Sequence, residues 1–427
     1  MTSTILDFID TVAAGQLQPL TQRLDDLGQR VATPPHNPLA AVPGLHFASL
    51  VVFETSGFAP ILVFESNFDG PLADYLDHLL AVAAADVHAV FSCCRDYHVT
   101  SPTDTSGIAG YLRAHAVRPA AYHIGNVGRS RVRVEQEAAL YKTLGTRIDA
   151  DLDAGPVPAA ADKAFGLVRR AMEAAGTFQW VDEPHARQTV WQRVWPWIRL
   201  IGIPAIALVI VAMFWRVSIP VLVIVAGVVV TVLRYKEMHD RPMQESEADP
   251  VRVQRLTELE DFVVQNHLAS LTVVKPGVFR RVLLRAVLWA ANLIARTSTH
   301  GSLSGIPSIH YAHWSLIDRG RRLLFLSNYD GSWESYLGDF IDKASRGLTG
   351  VWSNTVGFPV TKFLVFKGAA DGDAFKRFAR SEQASTSVWY SAYPDLTVQQ
   401  IDRQSTFREG LASRPVGDAL KRWLKSC

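Results

Sequence analysis

The chain carries one short block twice, and each copy contains an aspartate that could transfer a proton. The block reads SNFDG at 66–70 and SNYDG at 327–331, so the two carboxylates are Asp69 and Asp330. A positioned carboxylate can act as a general acid or base. The same Asp-Gly step is also ordinary turn chemistry, in which aspartate caps the following helix and glycine takes a positive φ. Both roles stay open for the two residues.

Histidines are the second group that could do chemistry. His46 and His310 hold matching positions ahead of the two blocks, and His313 follows in the second copy. Alternation along a regular strand predicts that His310 and His313 point to opposite faces and do not share a metal ion. His310 is therefore a candidate metal ligand by itself, and His300 and His123 are further candidates. A hydrogen-bonded histidine without a ligand is the alternative for each.

Aromatic residues are dense in the second copy. The set is Tyr311, Trp314, Trp333, Tyr336, Trp352, Trp389, Tyr390 and Tyr393. Core packing is one interpretation, because aromatic side chains bury large areas. The other is a pocket for a flat or lipophilic ligand. Only the second copy is rich in tryptophan, so a site is expected there.

Both blocks lie in longer stretches that align with each other, Leu45–Leu80 and Ile309–Ile341. Each stretch predicts strand, turn, strand and helix, and the residues after it predict strand, helix and strand, with the first of these later strands at Val87–Cys93 and Val351–Gly357. This order is close to a split βαβ plan, so we predict an α+β fold of tandem ferredoxin-like repeats. Two such copies can cover each other's open sheet face by forming an intrachain α+β barrel.

Tandem ferredoxin-like domains of this kind resemble the dimeric α+β barrel superfamily, and the repeated block is similar to the Gly-x-x-Asp-Gly motif of dye-decolorising peroxidases. Ser66 and Ser327 stand where that motif has its first glycine. The resemblance implies a haem cofactor, an acid–base role for Asp330 or Asp69, and one axial histidine. The candidate cofactor-binding residues are His310, His313, His300, Trp314 and Tyr336.

The segment from Trp195 to Leu233 is almost wholly apolar. As one helix its ~39 residues would span ~58 Å, about twice the ~30 Å hydrocarbon core of a bilayer. Two short helices joined by a turn at Arg216–Ser218 fit better, so an inserted two-helix transmembrane hairpin is predicted. A re-entrant hairpin and a buried helical hairpin are the alternatives. Basic residues flank both ends, which predicts that both repeats lie on the cytoplasmic side of the membrane.

A second apolar stretch, Phe279–Arg296, has the spacing of an amphipathic helix. It fits a helix in the headgroup plane or one packed on a domain core. The predicted organisation is an N-terminal helical segment at 1–40, repeat 1 at 41–150, a linker and membrane approach at 151–194, the hairpin at 195–233, a linker and amphipathic helix at 234–300, and repeat 2 at 301–427.

Composition and missing motifs exclude several classes of function. The chain has 427 residues, with 43 Lys and Arg against 41 Asp and Glu, and this balance gives no basic field for nucleic acid. Three cysteines cannot build a disulfide framework, so a reducing compartment fits. Phosphate-loop, zinc-helix and nucleophile-elbow motifs are missing. The expected partners are the bilayer and a lipophilic small molecule.

Two functional hypotheses follow. The first is a membrane-anchored, haem-dependent, peroxidase-like oxidoreductase that acts on a lipophilic substrate. The second is a non-catalytic, membrane-associated module that binds a lipid or a protein.

Overall fold

In the computed structural model the protein is an α+β molecule with two antiparallel five-stranded sheets. The structure describes residues 3–33, 35–153, 190–202, 215–240, 250–260, 263–297 and 305–426, with shorter pieces within 165–183 and 205–213 and residue 303. The predicted α+β class is confirmed.

The strands are short and mostly buried. They are β1 (Ser3–Thr11), β2 (Leu45–Phe53), β3 (Ile61–Asp69), β4 (Ala116–Val117), β5 (Ala121–Ile124), β6 (Gln265–Val273), β7 (Ile309–Ile317), β8 (Arg322–Asp330), β9 (Thr361–Lys362), β10 (Phe366–Lys367), β11 (Gln383–Ala384) and β12 (Val388–Ser391).

Twelve α-helices lie within the described residues. They are α1 (Leu17–Ala32), α2 (Leu72–Phe91), α3 (Thr105–Ala114), α4 (Arg131–Asp153), α5 (Val190–Trp197), α6 (Trp215–His239), α7 (Pro250–Glu260), α8 (Val278–Thr297), α9 (Trp333–Trp352), α10 (Gly372–Ser381), α11 (Val398–Ser413) and α12 (Gly417–Ser426).

The two halves of the chain have the same strand order and exchange one strand. The first sheet runs β12-β2-β3-β1-β4, and the second runs β5-β7-β8-β6-β11. The edge strand β12 comes from the second half and pairs with β2, with Tyr390 opposite Ala48. The edge strand β5 comes from the first half and pairs with β7, with His123 opposite Ala312. Each sheet therefore needs both halves.

Two strands were not predicted, and two predicted strands do not form. Residues 3–11 form the strand β1 inside the segment predicted to be helical, and β6 is its counterpart in the segment predicted to be a linker and helix. The strand predicted at Val87–Cys93 lies mostly in α2, which continues to Phe91. The strand predicted at Val351–Gly357 begins in the last two residues of α9, and its other residues form turns with one isolated bridge, from Thr355 to Val274. Buried residues of α2 recur at helical spacing through its last turn.

Helices cover the outer face of each sheet. Leu24 of α1 and Leu79 of α2 belong to the core of the first half, and Leu288 of α8 and Phe340 of α9 belong to that of the second. The helix predicted at Phe279–Arg296 is thus α8, with one face packed on the second sheet. Its other face exposes Val282 and Trp289.

The long apolar segment includes α6, the one helix among the described residues that is long and apolar enough to cross a membrane. Its qualifying residues are Ile219–His239, and only 6% of that stretch is buried. The turn predicted at Arg216–Ser218 is wrong, because α6 begins at Trp215 and passes through these residues. The third proline of the segment, Pro220, lies inside this helix and cannot donate the backbone hydrogen bond of its turn.

Candidate functional site

The structure pairs each matched histidine with the aspartate of its own half. His310 Nε2 lies 2.8 Å from Asp330 Oδ1, and His46 Nε2 lies 3.1 Å from Asp69 Oδ1. All four side chains are almost entirely buried. His46 Nδ1 is also 2.8 Å from the hydroxyl of Tyr393, which comes from the other half. The repeat therefore encodes two equivalent His–Asp pairs.

Each aspartate also caps a helix, but not the one that follows it. Asp69 Oδ2 accepts the backbone N–H of Arg131 at the start of α4, and Asp330 Oδ2 accepts that of Val398 at the start of α11, both at 2.8 Å. The predicted cap of the following helix is wrong, because Ser332 caps α9 and Pro71 precedes α2 without a side-chain cap.

The glycines after the aspartates behave as predicted. Gly70 has φ +85° and Gly331 has φ +81°, in the left-handed region that favours glycine. Each turn ends the strand directly after the aspartate. The carboxylate then reaches the helix that follows the exchanged strand, which is α4 for Asp69 and α11 for Asp330.

His310 and His313 do not lie on opposite faces as predicted, because a β-bulge interrupts alternation. The register of β7 against β8 shifts between Ile309 and Tyr311. His310 consequently contacts the ring of Phe47 in the first sheet, and His313 contacts Asp7 there as well. An extra residue in one strand turns neighbouring side chains towards the same side. Both histidines therefore face the space between the sheets.

A buried polar layer occupies the middle of that space. His313 Nε2 lies 2.8 Å from Asp7 Oδ1, and His267 Nε2 lies 2.9 Å from Glu65 Oε2. Ser315 donates to Asp7 Oδ2 at 2.7 Å. Asp7 and Glu65 belong to the first half, whereas their partners belong to the second. The layer therefore joins the two halves by charge-assisted hydrogen bonds.

Electrostatics in this layer favour the charged forms of Glu65 and His313. Burial raises the pKa of Glu65, but the hydrogen bond and charge of His267, with the charge of His313, lower its pKa to about 2. Burial lowers the pKa of His313, and the charge and hydrogen bond of Asp7 more than reverse this, so its pKa is raised. Paired buried charges of this kind hold a structure together when every partner is present.

Asp7, Glu65 and His267 are site residues that the sequence reasoning missed. Asp7 and His267 lie on the two strands that were not predicted, and Glu65 lies in the middle of β3. A useful signal was available: Asp7 is a charged residue inside an apolar strand-forming run, and such a residue needs a buried partner.

Apolar side chains fill the rest of the space between the sheets. One end holds Val51, Phe53, Ile61, Val63, Ala269, Leu271, Ile317, Leu324 and Leu326. The opposite end holds Phe47, Tyr311 and Tyr393, which contact the His–Asp pairs. The inter-sheet space is thus a packed core rather than a ligand cavity.

Two of the aromatic residues predicted to bind a cofactor, Trp314 and Tyr336, lie outside the space between the sheets. Trp314 packs against Phe325 and Trp352 in the core beneath the helices of the second half. Tyr336 stacks on Tyr329 and donates to Ser327 Oγ at 2.7 Å in the same core. Burial raises the pKa of Tyr336 well above its usual value. These side chains and the two histidines are on opposite faces of the second sheet.

These contacts do not fit an axial haem ligand. Such a ligand needs a free imidazole nitrogen that faces room for a macrocycle, whereas the Nε2 atoms of His310 and His313 are held by aspartates. His310 Nδ1 has no hydrogen-bond partner among the described residues, but it lies in the packed aromatic end. His123 is buried opposite Ala312, and burial lowers its pKa to about 4. His300 lies outside the described residues.

One group of three potential metal ligands occurs in the described part of the chain: Asp10, Asp96 and His115, with ligand atoms within 4.8 Å of one another. Asp10 Oδ2 already accepts the hydroxyl of Tyr111 at 2.7 Å and the N–H of Asp96 at 3.1 Å. His115 Nδ1 is 2.9 Å from the carbonyl of Tyr111. These hydrogen bonds account for the grouping without an ion.

The end of α6 contacts the second half of the molecule, away from the space between the sheets. Glu237 is buried there and accepts the N–H groups of Phe363 and Leu364 at 3.0 and 2.7 Å, from the hairpin formed by β9 and β10. Asp240, just beyond the helix, accepts from Lys275 at 2.7 Å and from Arg280 at 2.8 Å. The end of the apolar helix is therefore fixed to the second half of the molecule.

Comparison with protein-family models, with curated proteins and with solved structures finds no significant match to this chain.

Proposed function

We propose that this protein is a membrane-anchored, non-catalytic binding module. It is built from tandem ferredoxin-like repeats that close into one α+β barrel, and it acts through the surface that adjoins the membrane. The observation that carries the proposal is α6, whose apolar side chains face outwards while its last turn is fixed to the second half through Glu237. An outward apolar helix of this length is stabilised by lipid rather than by protein.

The strand exchange constrains how the chain meets the bilayer. Because β5 and β12 each complete the sheet of the other half, both halves must lie on one side of a membrane. The chain between them must then cross an even number of times, or enter and leave on one face. We propose a hairpin in which α6 is the second arm and the reversal precedes Trp215. The arm before it starts at α5, which contacts α8 of the second half.

Basic residues favour the cytoplasmic side for both repeats. Arg193 and Arg199 lie near the start of the proposed hairpin, and Arg234 and Lys236 lie near its end. Segments rich in lysine and arginine beside a membrane span stay on the cytoplasmic face.

Membrane fractionation of the full chain tests the anchor. We expect wild type to stay in the membrane pellet after an alkaline wash. Val225→Arg combined with Val229→Arg should release it, since each arginine at the centre of a span costs about 2.5–3.5 kcal/mol. The matched control is Val82→Arg with Val127→Arg, two exposed apolar positions in the first half, which should leave the protein in the pellet. Wild type that washes off the membrane would contradict the anchor.

The haem-dependent hypothesis stays a prediction with a direct test of its own. The chemistry it requires would need a vacant imidazole nitrogen that faces an open pocket, whereas the unpartnered Nδ1 of His310 lies against the rings of Phe47 and Tyr393. We expect the purified full chain, incubated with haemin, to show no Soret band beyond that of free haemin. A shifted Soret band that His310→Ala abolishes would favour the oxidoreductase over the binding module.

A further inference from the structure

The connection between α9 and α10 contains a hairpin that has no counterpart in the first half. In the first half, residues 92–104 join α2 to α3, and their aromatic residue Tyr97 is buried. In the second half, the corresponding connection forms β9 and β10 and exposes several large apolar side chains. These are Val356, Val360, Phe363 and Phe366, each at least 41% exposed. The two halves have the same strand order, so the β9–β10 hairpin is an addition to the plan that they share. We call this hairpin and its four exposed apolar side chains the wedge.

The wedge has an unusual backbone that α6 holds in place. Phe363 has φ +50° and Leu364 has φ +68°, a left-handed conformation that costs energy for residues other than glycine. Their N–H groups donate to the carboxylate of Glu237, and the Thr361 hydroxyl donates to it at 3.2 Å. The membrane helix therefore fixes the hairpin at its own end, with the phenyl ring of Phe363 directed to the surface.

A cleft of about 350 Å³ lies between the helix end and the hairpin, and its lining is rich in cations. The cations are Arg234, Lys362 and Lys367, and the acidic lining residues are Glu237 and Asp240. Both acids are already occupied by the bonds described above. Among the described residues, no ion pair involves Lys362 or Lys367. Arg234 is paired with Glu237, so the positive charge that the protein itself does not neutralise in the cleft is that of Lys362 and Lys367.

The position of these groups matches the boundary between headgroups and acyl chains. Arg234 lies on α6 in its last turns, and its guanidinium is 5.0 Å from the ring centre of Phe363. Apolar side chains beside a ring of cations are the pattern of segments that bury in the acyl boundary and bind anionic headgroups. Continuity with the membrane helix selects the bilayer, rather than a protein partner, as the occupant of this surface.

We propose that the cleft binds the phosphate of an anionic phospholipid while the wedge inserts among the acyl chains. The proposal rests on the membrane anchor of the proposed function and specifies which lipid the module recognises. Lys362 and Lys367 contact the phosphate, and Val360, Phe363 and Phe366 contact the chains.

Native mass spectrometry of the full chain in detergent tests the headgroup. Wild type should retain added phosphatidylglycerol in preference to phosphatidylcholine. The double variant Lys362→Gln, Lys367→Gln should weaken phosphatidylglycerol binding by about 30-fold, or about fivefold for each lysine near an anionic surface. The control Lys376→Gln, Lys421→Gln removes two lysines from other elements and should bind as wild type. Equal retention of both lipids, or equal losses in the two double variants, would overturn the proposal.

Competition with inorganic phosphate distinguishes a lipid from a free anion. Phosphate in excess should not displace phosphatidylglycerol from wild type, because free phosphate has no acyl chains and cannot make the apolar contacts of the lipid. Displacement by inorganic phosphate alone would show a site for a soluble anion and would overturn the lipid assignment.

A fluorescent probe tests the wedge. Val360→Cys in a Cys427→Ser background, labelled with an environment-sensitive dye, should be quenched by lipids with brominated acyl chains in nanodiscs. The same label at Val82→Cys, on α2 of the first half, should not be quenched. Quenching at neither position in a protein that stays in the membrane pellet would overturn this proposal alone, whereas release from the pellet would overturn the anchor itself.

Discussion

Glu65 of β3 and His267 of β6 come from opposite halves of the chain, and their Oε2 and Nε2 atoms lie 2.9 Å apart between the sheets. The carboxylate also accepts from Ser49 and Asn67 of its own half at 2.9 Å and from Asn328 of the other half at 3.1 Å. The buried carboxylate of Glu65 is thus hydrogen-bonded by residues of both halves. This hydrogen-bond network therefore links the two halves of the molecule.

Glu65→Gln should destabilise the whole molecule. The variant removes the negative charge but leaves His267 and His313 buried beside it, and breaking a buried pair on one side costs about 3–5 kcal/mol. Urea unfolding followed by circular dichroism measures the loss. The control is Asp418→Asn, which removes the partner of Lys421 in an exposed pair and should cost less than about 1 kcal/mol. Similar losses in the two variants would contradict the central role of Glu65.

Acid should destabilise the protein in two steps. His123 has a pKa of about 4 in the folded state against about 6.5 when unfolded, so the unfolded chain gains a proton first as pH falls. Its contribution is complete above pH 6.5 and is lost as pH falls towards 4. The Glu65 carboxyl, with a pKa of about 2, contributes above its unfolded value of about 4.3 and is lost below that.

His123→Gln isolates the first step. Between pH 6.5 and 4, His123 should cost wild type up to about 3 kcal/mol of unfolding free energy, and the variant should not show this loss. His313 acts in the other direction, because its raised pKa adds stability at low pH that is lost as pH rises through the folded value. Unfolding curves collected across this pH range measure the slope, and an unchanged slope in His123→Gln would contradict the assignment.

How far the sequence predicts this molecule depends on the range of each interaction. The repeated block identified the two matching halves, and β2, β3, β7 and β8 lie where local patterns placed them. The strand β1 was missed because Asp7 and Asp10 break its apolar pattern. Those charges are buried and satisfied by partners more than one hundred residues away, which no local pattern contains.

Local sequence patterns also could not predict the pairing of His310 with Asp330. Strict alternation placed His310 and His313 on opposite faces, whereas the bulge at Ile309–Tyr311 turns both towards the first sheet. The helix that Asp330 caps follows the exchanged strand β12, so its position depends on how the halves assemble. Residue types singled out His310 and Asp330 as candidates, but only the assembly of the two halves brings them together.

Asp330→Asn tests whether its carboxylate is structural. The amide oxygen can still accept the N–H of Val398, but the charge beside His310 is lost, so we expect a loss of about 1–3 kcal/mol. Phosphatidylglycerol retention by the folded variant should equal that of wild type. Asp69→Asn should also lower stability, because Asp69 caps α4 and lies 3.1 Å from His46 Nε2. Unchanged stability together with altered lipid retention in either variant would point to a binding role.

Gly410 and Gly145 give a matched pair of helix substitutions with opposite expected signs. A Cβ at Gly410 of α11 would lie 1.8 Å from the indole Nε1 of Trp423, which donates to the Thr406 carbonyl at 3.1 Å. Gly410→Ala must therefore displace this ring and lose its packing on Phe407, at a cost of about 1–3 kcal/mol.

A Cβ at Gly145, within α4, meets nothing within 4 Å, so Gly145→Ala should stabilise the helix by up to about 1 kcal/mol. Thermal unfolding of both variants measures the two signs, and Trp423→Ala supplies the control. In the Trp423→Ala background the obstructing ring is gone, so Gly410→Ala should become neutral or stabilising. A penalty that persists there would mean that α12 does not pack on α11 through this ring.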